Sequence, residues 1–145
     1  MQDFLEDYDV GRVEGRYVNG ALPVLPFAAA VFDLALCSHL LFLYSSQLGK
    51  PFHLAAVREM CRVAAEVRVF PLLALGGKRS PYVDHCTEDL RGLGFDVVVQ
   101  SVPYEFQRGG DQMMRIRTAG TERPQEEPCT SYSTRSLIKA ASNDL

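Results

Sequence analysis

Short apolar runs alternate with amphipathic stretches along most of the 145 residues, and the pattern fades only near the C-terminus. At the N-terminus Phe4, Leu5 and Tyr8 are spaced three and four residues apart, which predicts a short helix over 1–9, broken by Gly11 and Gly15. "RYVNGAL" (Arg16 to Leu22) is aromatic and β-branched and predicts a strand, followed by a proline-fixed loop, "PVLPFAAA". "VFDLALC" (Val31 to Cys37) is apolar on both faces and predicts a central strand covered on both sides. "FHLAAVREMCRVA" (Phe52 to Ala64) is helical, with Leu54, Val57, Cys61 and Ala64 on one face and Arg58, Glu59 and Arg62 on the other.

"EVRVFPLLAL" (Glu66 to Leu75) reads as the next strand, with Pro71 tolerable at a strand end or bulge. Ser80 and Pro81 suit the N-cap and first turn of a helix running to about Arg91, with Gly92 or Gly94 as its left-handed stop. "FDVVVQSVP" and "QMMRIRT" are two further strands, joined as a hairpin by the loop containing Gly109 and Gly110. The order βαβαββ predicts a mostly parallel α/β sheet with an antiparallel last strand. From Ala119 the chain is polar and aperiodic, which predicts a disordered tail over 119–145 after a domain over 1–118.

In open α/β sheets ligands bind beyond the carboxyl ends of the strands. Cys37, Ser38 and His39 stand at such an end, and so does the loop after Val102. Composition narrows the chemistry. Hydrophobic content of 47% supports a packed core, and a net charge of -3 disfavours nucleic acid as partner. The histidines and the four cysteines show no zinc spacing or disulfide framework, so we expect reduced thiols and no metal. The N-terminus has no signal-peptide pattern and no apolar run is long enough to span a bilayer; a cytoplasmic protein is expected.

The succession "GRYVNGALPVLPF", "FDLALCSHLLFLY", "HLAAVREMCRVAAEVRVFPLL" and "GFDVVVQSVPYEFQRGGDQMMRI" resembles the C-terminal portion of class I S-adenosylmethionine-dependent methyltransferases, over about residues 1–117. The resemblance implies a partial Rossmann-like methyltransferase sheet. "RYVNGA" would be the third of seven strands, "VFDLALC" the fourth, and the hairpin the antiparallel end. The first two strands would be absent, with the glycine-rich cofactor turn and the ribose-binding acid. Ala21 stands where the family commonly has an acid. The resemblance therefore implies methyl transfer from S-adenosylmethionine to an unidentified acceptor, a small molecule or another, with weak or no activity in this chain alone. The other reading is a non-catalytic module that pairs with a partner chain, or with itself, through an exposed sheet edge.

By the same resemblance Gly20, Ala21, Leu22, Cys37, Ser38 and His39 would edge the cofactor, and Phe42, Tyr44, Tyr104, Glu105 and Arg108 the substrate. Each has a plainer alternative. His39 is either a weak candidate for a general base or a packed strand-end residue. Leu40 to Tyr44 form either a substrate wall or core. Gly20 to Leu22 are an adenine edge or a plain strand exit. Glu105 and Arg108 contact substrate or pair with each other and solvent.

Overall fold

The computed structural model describes residues 2–118; the expected tail lies outside the described residues. Four strands, β1 (Phe32–Ser38), β2 (Ala64–Phe70), β3 (Phe95–Ser101) and β4 (Gln112–Thr118), form one sheet in the order β1-β2-β4-β3. β1 and β2 pair in parallel, and β4 runs antiparallel to both of its neighbours. β1, β2 and β3 therefore point the same way, although most of the pairings are antiparallel. The hairpin forms as expected, and its last strand inserts within the sheet.

Among the described residues three α-helices accompany the sheet: α1 (Gln2–Val13), α2 (Lys50–Val63) and α3 (Tyr82–Gly92). α2 packs on β1, β2 and β4, α3 packs on β3, and the two helices pack on each other. Their buried residues, Val57, Met60, Cys86 and Leu90 among them, meet Val67, Val69, Val97, Met114 and Ile116 in one core. These strand residues alternate along the chain, as a period of two requires. Burying Val57 or Met60 contributes about 1.5–3 kcal/mol each. The Arg58 guanidinium clamps the Asp89 carboxylate across the α2–α3 contact. Leu93 and the left-handed Gly94 (φ 88°) close α3 as predicted. At its start the cap falls on Pro81, one residue later than expected, while the Ser80 hydroxyl accepts the Tyr82 amide.

The strand expected over Arg16–Leu22 does not form; a single bridge between Ala21 and Val24 stands in its place. The reason is local. Arg16 makes a two-pronged ion pair with Asp7, at 2.6 and 2.7 Å, and Tyr17 packs over Gly11, so the segment folds back onto α1. α1 accordingly runs through Gly11 and stops near Gly15, while Leu5 and Tyr8 of the expected stripe are exposed. Without that strand, β1 is an edge strand instead of a central one.

Glu59 and Arg62, placed by the sequence on the polar face of α2, do more than meet solvent. Glu59 accepts the Leu25 amide at 2.8 Å, and Arg62 donates to the Phe27 carbonyl at 2.9 Å. The Ala30 amide donates to the Arg62 carbonyl. Together they fasten the proline loop to the C-terminal end of α2. No helix among the described residues is long and apolar enough to cross a membrane.

Candidate functional site

The carboxyl ends of β1 and β2 and the β3–β4 loop converge on His39. Its amide donates to the Phe70 carbonyl at 2.8 Å, which extends the parallel ladder one residue past β1. There the backbone turns left-handed, with φ 57° at His39. For a residue with a Cβ this conformation costs roughly 1–2 kcal/mol. The ring Nδ1 lies 2.6 Å from Ser38 Oγ. The other nitrogen, Nε2, is buried and has no hydrogen-bond partner among the described residues.

Aromatic rings explain that burial. His39 stands edge-on to Phe106, with centroids 4.3 Å apart, and to Phe70 at 5.8 Å. Tyr104 leans on Phe70 at 5.7 Å. Tyr104 and Phe106 are 58% and 40% exposed, so the outer wall of this cluster faces solvent. The loop carrying them is built to hold its shape. Gln107 donates to the Ala74 carbonyl at 3.1 Å, and Glu105 accepts the amide of left-handed Gly109 at 2.6 Å.

His39 can therefore act in two tautomers. With the Ser38 hydroxyl donating to Nδ1, Nε2 carries the proton and offers a donor. With Nδ1–H donating to Ser38, Nε2 offers a lone pair. In either case one polar atom faces an aromatic box.

The other candidates divide. Ser38, His39 and Tyr104 meet at this rim, and Glu105 supports its loop. Arg108 is exposed on the same loop. Cys37 points into the core, where burial pushes its thiol up in pKa while the Leu41 amide hydrogen-bonds the sulfur. Phe42 is fully buried and stacks on His53 at 5.5 Å, so it is core and forms no exposed wall. Tyr44 is half-buried in the same 3-10 turn (Phe42–Tyr44).

Gly20, Ala21 and Leu22 do not join the rim. Gly20 abuts Pro26 and Leu25, and Leu25 is tied to Glu59 near the end of α2. α2 leads into β2 at Ala64, which pairs with Phe32, the first residue of β1. The loop thus sits at the amino end of β1 and His39 at the carboxyl end, about 20 Å apart by strand rise.

Residues missed by the pattern include Phe70 and Phe106. Both lie where the strand-end rule points, but nothing in apolar periodicity separates them from core. His53 was also missed. It is fully buried, with its ring nitrogens 3.0 Å from the Gly49 and Leu41 carbonyls, and is structural. Arg79 bonds Asp84 and Gln112 and so ties the start of α3 to β4.

Comparison with known proteins gives one relative. The uncharacterized protein MJ0045 of Methanocaldococcus jannaschii is 32% identical over 114 residues. That match spans 79% of this chain and 48% of the relative. The chain thus spans about half the length of the curated relative it matches. No family model matches, and no solved structure matches.

Proposed function

We propose that the chain is a methyltransferase-type α/β module, with the Ser38–His39 rim facing the S-adenosylmethionine and acceptor side of the site. The observation that carries this reading is the buried Nε2 of His39, without a partner among the described residues, at the carboxyl end of two parallel strands. An unpaired buried polar atom costs about 1–3 kcal/mol, and a ligand atom that pairs with it recovers that cost. Retention of a left-handed backbone at the same residue points the same way, since strain gathers at binding sites.

The described residues fit one side of such a ligand and not the other. The rim offers a polar atom and aromatic surface. The sequence has no glycine-rich turn after a strand to approach the methionine end of the cofactor, and Gly20 to Leu22 lie at the other end of β1. No chemical step is therefore assigned to this chain alone, and its cofactor binding is weak. S-adenosylmethionine supplies the methyl group when bound. The chain's residues orient: His39 holds a polar group of the ligand, and Phe70, Tyr104 and Phe106 exclude water beside it.

Saturation-transfer NMR with S-adenosylhomocysteine at millimolar concentration tests the reading. Transfer to the ligand is expected, with loss in His39→Ala and Phe106→Ala. No transfer, or transfer unchanged in both variants, rules it out.

A second reading rests on a separate observation, that β1 has no strand on its outer edge among the described residues. Unpaired strand edges are templates for pairing. In this reading the module binds a partner chain by adding a strand beside β1. A monomer at all concentrations, with β1 amides that exchange no faster than those of β2, would count against it.

A further inference from the structure

Among the described residues, no helix packs on one face of the sheet. The core side is set by Val67, Val69, Met114 and Ile116, and the register fixes what stands on the other side. Across the middle of that side run Leu36, Arg68, Arg115 and Val98. The next row is Leu34, Glu66, Arg117 and Asp96. Leu34, Leu36 and Val98 at the margins, with Asp96 at the fourth corner, thus flank three arginines and Glu66 at the centre. Two of them, Arg68 and Arg115, are directly opposed across β2 and β4, an arrangement that repulsion disfavours.

Glu66 answers two of the three charges. It accepts from Arg68 and from Arg117, each at 2.5 Å. Arg115 differs. Its Nε is buried and has no acceptor among the described residues. A guanidinium nitrogen out of water and without an acceptor is costly, and an incoming carboxylate removes that cost.

The same chain carries a surface of the opposite kind. On α1, Asp7 is bound to Arg16 and Gly11 lies beneath Tyr17, which defines the side turned to the chain. At 100° per residue the opposite side carries Leu5, Glu6, Asp9, Arg12 and Val13, with Val10 at its margin, all of them exposed. Val13 is 87% exposed and Leu5 64%. This side sets two carboxylates and one arginine among apolar residues, and the sheet face sets three arginines and two carboxylates among apolar residues, so the two surfaces carry opposite net charge. α1 is absent from the main packings between elements, which join the four strands, α2 and α3.

We propose that the helix-free face is a docking surface and that its occupant is α1 of a second copy of this chain. Glu6 and Asp9 reach the arginine row, with Arg115 as the group in need of an acceptor, while Leu5, Val10 and Val13 cover Leu34, Leu36 and Val98. Reciprocal exchange covers both free surfaces of both copies and closes on a two-fold axis. The inference does not depend on the methyltransferase reading, since it uses neither the His39 rim nor a cofactor.

The test is light scattering of the full chain over a range of concentration and salt. The wild type is expected to dimerise, more weakly as salt rises. Glu6→Lys with Asp9→Lys, and separately Arg115→Glu, are each expected to raise the dimer dissociation constant at least about tenfold. Mixing the two variants restores the dimer, because each reversed helix then meets a face of opposite sign. The α1 variant changes only exposed residues, so it stays informative if Arg115→Glu fails to fold. A wild-type monomer overturns the proposal, including one whose α1 is protected by docking on its own sheet. A dimer that ignores both charge reversals overturns it too, as strand-edge pairing would.

Discussion

Phe42 is the residue on which a substrate wall and a packed core make opposite demands. Replacing it with alanine removes the whole ring. The ring is 0% exposed and stacks on His53 at an interplanar angle of 29°. Around it, the Ser45 hydroxyl lies 2.6 Å from both the Phe42 carbonyl and Ser80 Oγ. The Leu43 carbonyl accepts the Leu75 amide, and the His53 imidazole braces Leu41 and Gly49. These bonds fix the backbone of the turn, so the site has little freedom to collapse into the space left behind. Phenylalanine deletions in such cores cost about 3–5 kcal/mol. Domains of this size have about 5–15 kcal/mol in total, so the variant loses a large share of its stability. At about 4 °C per kcal/mol, the melting temperature falls by about 12–20 °C. Urea denaturation followed by circular dichroism measures the difference directly. Tyr44→Ala in the same turn is half-buried and is expected to cost markedly less. A loss below about 1 kcal/mol for Phe42→Ala, or equal losses for the two variants, would show that the ring is not a core anchor.

Three more outcomes follow from the same structure. His39→Gly removes the left-handed strain and the unpartnered nitrogen but loses ring packing, so stability should stay within about 1 kcal/mol of wild type while transfer to S-adenosylhomocysteine disappears. A loss above about 2 kcal/mol in the same urea experiment would instead make His39 a structural residue. For Glu66, burial raises the carboxyl pKa, but hydrogen bonds from Arg68 and then Arg117 outweigh it and leave it lowered. Its contribution is present above the ordinary carboxylate value of 4.5 and is lost as pH falls through the lowered folded-state value. Glu66→Gln should therefore flatten the acid limb of a stability–pH curve, and an unchanged limb would count against the network. Burial pushes the thiols of Cys61 and Cys86 up to about 12 and raises that of Cys37 as well. Mass spectrometry after alkylation at pH 8 should find these three slow to label in native protein and fast in urea; fast native labelling of Cys86 would contradict its burial.

Local pattern was enough for the elements whose partners are near in sequence. α2, α3 and the β3–β4 hairpin fall close to their expected limits, because period, caps and turn glycines act within a few residues. The same rules placed Ser38 and His39 at a strand end. Long-range competition decided the rest. The segment from Arg16 has strand composition, yet Asp7 and Gly11 claim its first residues for α1. That choice leaves β1 at the edge and puts Gly20 to Leu22 away from the rim. Phe42 and Phe106 are indistinguishable as apolar letters, and only packing sent one into the core and the other over His39. Arg68, Arg115 and Arg117 read as polar alternation along two strands far apart in sequence. The order β1-β2-β4-β3 brought them onto one face in two adjacent rows, because hydrogen-bond register, not composition, determines which side chains meet across a sheet.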